Sequence, residues 1–72
     1  MAVSYNRLWK LLIDRGMSKT KLRQAAGIGT ATLSRLNKNK YVEMGVLEKI
    51  CAVLNCQPSD IMEFIPARER NE

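Results

Sequence analysis

Apolar residues recur at three- and four-residue steps along most of this chain, and the steps divide it into short helical segments. Tyr5, Leu8, Trp9 and Leu12 fall on one face of a first helix, predicted over Tyr5–Arg15, with Leu11 and Ile13 flanking the stripe. Asn6, Lys10 and Asp14 fall opposite. Ser4 is placed to cap this helix and Gly16 to end it in the left-handed conformation. A second helix, Lys19 to Ala26, has Ser18 as its cap, Met17 as a core plug before it, and Leu22, Ala25 and Ala26 as its inner face. After Gly27-Ile28-Gly29 comes a short third helix from Thr30 to about Lys38, with Leu33 and Leu36 inward and Asn39 as a left-handed stop.

The fourth segment starts near Gly45 or Val46 and runs to Leu54, with Asn55 beyond it. It is apolar on nearly every side, which places it centrally in the core or partly in a dimer interface. Pro58 favours the first turn of a fifth helix ending near Phe64, before Pro66 breaks the chain. Val3 and Ile65 lie just outside the first and last helices, and they suggest a very short antiparallel pairing of the termini, roughly Ala2–Ser4 with Glu63–Ile65. The expected architecture is all-α: one five-helix domain over residues 1–66, followed by a charged, disordered tail over 67–72.

Seventy-two residues make one domain, and no apolar run approaches the ~20 residues of a membrane span. The N-terminus does not read as a secretory signal, so a cytoplasmic location is expected. Cys51 and Cys56 are the only cysteines and there is no His, so the two are read as buried free thiols, with no metal site or cofactor expected. Nor is an acid–base pair or activated nucleophile visible, which argues against an enzyme.

Charge changes the picture more than composition does. Residues 1–40 carry nine Lys or Arg against one acid, Asp14, a surplus of eight. Residues 41–72 carry three against six, and the two halves together give the net +5. The basic half coincides with Ser18–Lys40, which reads as a helix, a glycine turn and a second helix with a polar outer face: a helix-turn-helix, with its core at residues 18–38. That coincidence is the footprint of a polyanion binder.

Within it, Lys19 and Lys21 stand in the first turn of the second helix, where cations oppose the macrodipole and a phosphate would offset them. The outer face of the third helix holds Thr30, Ala31, Ser34, Arg35 and Lys38, with no acid and no large apolar group. Such a face approaches base edges closely. Arg35 can pair with guanine O6 and N7, Thr30 and Ser34 can hydrogen-bond, and Ala31 can touch a thymine methyl.

Met17-Ser18, Leu22, Gly27-Ile28 and Leu33-Ser34-Arg35-Leu36 resemble the Cro/C1-type (XRE-like) helix-turn-helix regulators. Leu47-Glu48-Lys49-Ile50-Cys51, Leu54-Asn55-Cys56 and Asp60-Ile61 extend the likeness from Tyr5 to about Ile65. LEKICAVLNCQPSDIMEFIP is particularly similar to the short stand-alone members. The resemblance implies a compact, lambda-repressor-like five-helix domain that binds double-stranded DNA, commonly as a homodimer on a pseudo-palindromic operator. It places base reading on Thr30, Ala31, Ser34 and Arg35. It places phosphate contacts on Ser18 and Lys19 and on Lys38, Asn39 and Lys40, beside the Lys21 already singled out.

Four positions depart from the family pattern. Gly29 stands where a Ser or Thr usually caps the third helix, and Asn39 where glycine is common. Leu12 and Asn37 occupy the positions of a buried Arg–Glu pair found in several members. The expectation is that apolar packing replaces this tie and that Leu33 and Leu36 alone hold the third helix. The function that follows is transcriptional control, as a repressor or autoregulator without a small-molecule effector module. The competing reading is an antitoxin-like or antirepressor-like protein-interaction module, for which Trp9, Ile13, Val53, Met62 and Phe64 are the candidate exposed apolar residues.

Overall fold

The structure, a computed structural model, describes residues 2–66. The expected tail at 67–72 lies outside the described residues. In chain order the elements are β1 (Ala2–Ser4), α1 (Asn6–Arg15), α2 (Lys19–Ala26), α3 (Thr30–Asn37), α4 (Met44–Leu54), a 3-10 turn (Pro58–Asp60) and β2 (Glu63–Ile65). The fold is mostly helical, with four helices among the described residues and a two-stranded sheet, in place of the expected five-helix, all-α domain.

Local chemistry explains the missing helix. Pro58 opens a helical turn, but Asp60 reaches back and accepts from the Gln57 N–H at 3.0 Å, closing a capping box around one turn only. Ile61, fully buried, then pins the chain to the core. Glu63–Ile65 leaves as a strand because Ala2–Ser4 offers it a partner. The two pair antiparallel as Ala2–Ile65, Val3–Phe64 and Ser4–Glu63, the terminal pairing that Val3 and Ile65 suggested.

The core is built from buried Val3, Tyr5, Leu8, Leu12, Leu22, Ala26, Ile28, Leu36, Leu47, Ile50, Leu54 and Ile61. α4 packs chiefly against α2, and α1 against the 3-10 turn. Ala25, expected on the inner face of α2, is exposed: Leu22 and Ala26, four apart, take the inward positions, and Ala25 is turned aside. Trp9, Met17, Leu33, Val53 and Met62 are half-buried against the core, whereas Ile13 and Phe64 are exposed. No described helix is long and apolar enough to cross a membrane.

α1 begins one residue later than predicted. Tyr5 takes the cap position without a side-chain cap, and the Ser4 hydroxyl accepts weakly from the Asn6 N–H at 3.3 Å. Each helix end is closed by a left-handed residue, at Gly16, Gly27, Asn39 and Asn55. The next N–H in each case reaches back five residues: Met17 to Leu12, Ile28 to Arg23, Lys40 to Arg35 and Cys56 to Cys51, at 2.9–3.1 Å. At the last of these ends the Arg15 guanidinium adds a bond to the Leu54 carbonyl at 2.8 Å, tying α1 to the exit of α4.

Cys51 and Cys56 are free and half-buried. Burial, then the neighbouring Cys56, push the Cys51 thiol up to about 11, which keeps it protonated and weakly nucleophilic at neutral pH. Arg7 donates to the Ser59 carbonyl at 2.9 Å and pairs with Glu63 at 3.3 Å, an exposed ion pair of small energetic weight.

Candidate nucleic-acid interface

α2, the turn Gly27-Ile28-Gly29 and α3 form the helix-turn-helix, and its local causes are visible. Ser18 is extended at the cap of α2, and its hydroxyl accepts from the Lys21 N–H at 3.1 Å. Gly27 supplies a φ of +69°, which turns the chain sharply enough for Ile28 to enter the core. Gly29 caps α3 through its extended backbone without a side-chain bond.

Leu36 is fully buried and Leu33 half-buried, and they turn the opposite side of α3 outward. Thr30, Ala31, Ser34 and Arg35 are all exposed there. Among the described residues, the side chains of Lys21, Arg35, Lys38 and Lys40 themselves enter no hydrogen bond or ion pair. Their charges are therefore available to an outside partner.

The structure ties one of the candidate backbone groups to the end of α3. Lys19, at the start of α2, donates to the Asn37 Oδ1 at 2.7 Å, next to Lys38 at the exit of α3. The same ammonium sits 4.2 Å from the centre of the Trp9 ring, a cation–π contact with α1. Lys21 faces elsewhere and borders a surface depression with Arg15, Gly16 and Ser18. Lys19 thus has a partner inside the fold that partly offsets its unfavourable place on the macrodipole, and Lys21 has none among the described residues.

This arrangement corrects the expectation that Leu33 and Leu36 alone hold α3. A polar tie exists, but its partner for Asn37 is Lys19 on α2, not Leu12 on α1. A second tie lies just beyond. The Asn39 Oδ1 accepts from the Tyr5 N–H at 3.0 Å, and the Tyr5 hydroxyl donates to the Lys40 carbonyl at 2.8 Å. Burial, then the neighbouring Tyr41, raise the Tyr5 pKa from its ordinary 10.0, so the hydroxyl stays a neutral donor. Sequence reasoning missed both ties because the partners lie 18 and 34 residues apart and share no periodic signal. The αL residue at Asn39 was the one local hint.

The comparisons with known proteins agree with this geometry. Residues 7–67 match the family model of the Cro/C1-type HTH DNA-binding domain. The chain is 45% identical over 56 residues to the "Uncharacterized HTH-type transcriptional regulator YozG" of Bacillus subtilis (strain 168), covering 75% of this chain and 67% of that one. It is similar also to the crystal structure of the transcriptional regulator VanUg (Form II), with a TM-score of 0.88 and 52% identity over 90% of this chain and 87% of the other. A helix-turn-helix with an open, acid-free outer face, matched by all three comparisons, places the chain in the Cro/C1-type helix-turn-helix family of DNA-binding transcriptional regulators, a class without enzymatic activity.

Proposed function

We propose that the chain acts in the cytoplasm as a homodimeric repressor or autoregulator that sets α3 of each copy into the major groove of a pseudo-palindromic operator. Thr30, Ala31, Ser34 and Arg35 read base edges. Ser18, Lys19, Lys21, Lys38, Asn39 and Lys40 hold the phosphate backbone on either side. The observation that carries this reading is the outer face of α3: small, exposed and acid-free, with Arg35 as its one long donor uncommitted among the described residues.

A single helix of eight residues reaches few bases. Specificity therefore calls for two copies with half-sites about one turn, ~34–36 Å, apart. With about 4–6 phosphate contacts per subunit, affinity falls steeply with salt. Selection of bound sites from a random duplex pool tests the proposal. The expected result is a two-fold symmetric motif with half-sites one turn apart. Enrichment of a single half-site would remove the dimer. Absence of binding even at low salt would favour the protein-interaction module, with exposed Ile13 and Phe64 as its first candidates.

A further inference from the structure

Tyr5 heads α1, and its N–H is one of the donors that the helix itself cannot satisfy. In a capping box, an acid or amide three residues on would accept from it, but that position is Leu8. Asn39, 34 residues away, takes the part with its Oδ1. Tyr5 is 1% exposed and belongs to the core cluster, so its hydroxyl reaches the Lys40 carbonyl from a fixed base. The backbone of Asn39 and Lys40 is meanwhile drawn back onto α3, Asn39 N–H to the Leu36 carbonyl at 3.2 Å and Lys40 N–H to the Arg35 carbonyl at 2.9 Å. The segment bearing Lys38 and Lys40 is thus held from α3 on one side and from Tyr5 on the other.

We propose that Tyr5 and Asn39 are positioning residues for DNA binding: they fix the main chain at the exit of α3 so that Lys38 and Lys40 present their charges to the phosphate backbone together. The inference rests on the assignment of Lys38 and Lys40 to phosphates made above. Tyr5 itself is buried and reaches the partner only through Lys40. Without the bracket the two lysines keep their charges but sample more orientations, so fewer counterions are released per complex. Base reading by Thr30, Ala31, Ser34 and Arg35 is left as it is.

The test uses the full chain on a random-sequence duplex, with affinity measured by fluorescence anisotropy across a salt series. The variants are Lys38→Ala, Lys40→Ala, Tyr5→Phe, Asn39→Gly and the double variant Tyr5→Phe/Asn39→Gly. Tyr5→Phe keeps the buried ring and removes one hydrogen bond. Asn39→Gly suits the φ of +55° and removes the other; it also removes Asn39 as a phosphate contact, but a neutral amide releases no counterion, so the salt slope still reports on the lysines. Thermal melts confirm that each variant is folded at the assay temperature.

Each lysine variant is expected to lower the salt slope by about one. Tyr5→Phe and Asn39→Gly are each expected to weaken binding by up to about fivefold, the cost of re-ordering on DNA what one hydrogen bond orders in the free chain. The double variant is expected to lower the slope by about one although it keeps every lysine. In a Lys40→Ala background, Tyr5→Phe should add little. A wild-type slope in the double variant, with the lysine variants flattened, overturns the positioning role and leaves the lysines as phosphate contacts. Unchanged slopes in the lysine variants themselves overturn the assignment and the proposal with it.

Discussion

α3 starts at Gly29, where no side chain caps the first N–H groups, and its first turn shows only Thr30, Ala31 and the half-buried Thr32. It finishes very differently. Lys19 reaches Asn37 from α2, and Asn39 and Lys40 are each bonded to Tyr5 at the head of α1. One end is open and small, and the other is held by three tertiary hydrogen bonds. Fitting closely to base edges needs the first property. Setting the angle at which the helix leaves the protein needs the second. Substitutions near the start should therefore change which sequence is bound, and substitutions at the exit should change how firmly any sequence is bound.

The sharpest way to break that contrast is at Arg35, which is exposed on the reading face although its carbonyl helps to close the helix. Arg35→Ala is expected to cost ~1–3 kcal/mol on the selected site and to relax preference at one base pair. Competition binding against single-base variants measures this. Equal weakening on cognate and random DNA would move Arg35 to the backbone set.

Lys19→Ala probes the exit from the other side. It removes a phosphate candidate and the tie to Asn37 and Trp9 at once. All sequences should bind more weakly, the salt slope should fall by about one, and unfolding in urea should show a loss of about 1 kcal/mol or less. A stability loss with an unchanged slope would make Lys19 a purely internal brace.

The smallest effect is expected at the open end. A Cβ at Gly29 meets nothing within 4 Å, and its φ of −82° suits any residue. Gly29→Ser should therefore stabilise the domain by a few tenths of a kcal/mol through a new cap, read as a small rise in Tm. A fall in Tm would show that the start of α3 depends on its bare backbone.

What was legible in the sequence was local. Ser18, Gly16, Gly27, Asn39 and Asn55 each act on the residues beside them, and each stands where cap and stop chemistry put it. The exposure of Thr30, Ala31, Ser34 and Arg35 followed from the inward set of Leu33 and Leu36. Some errors were local, as at Ser4, Ala25 and the one-turn box at Gln57, and the others came from distant partners. Pro58 to Phe64 has a helical pattern, but β1, some sixty positions earlier, recruits Glu63–Ile65 into a strand. The braces at Asn37 and Asn39 likewise join side chains that only the tertiary fold brings together. Asn39 illustrates the limit: its left-handed backbone was readable from residue type, whereas its bond to Tyr5 was not.

The pairing of β1 with β2 has a mechanical consequence. Ala2 and Ile65 form the outermost pair, so a pull between the two chain ends loads the sheet at its open end and unzips it one pair at a time. Three pairs on, the load arrives at Tyr5, whose next bonds are to Asn39 and Lys40. Tension on the ends would thus reach the exit of α3 through Tyr5 at the same point as it reaches the buried Ile61 through Met62. In such an experiment the terminal sheet should open first, and the grip on DNA should slacken once the load passes Tyr5.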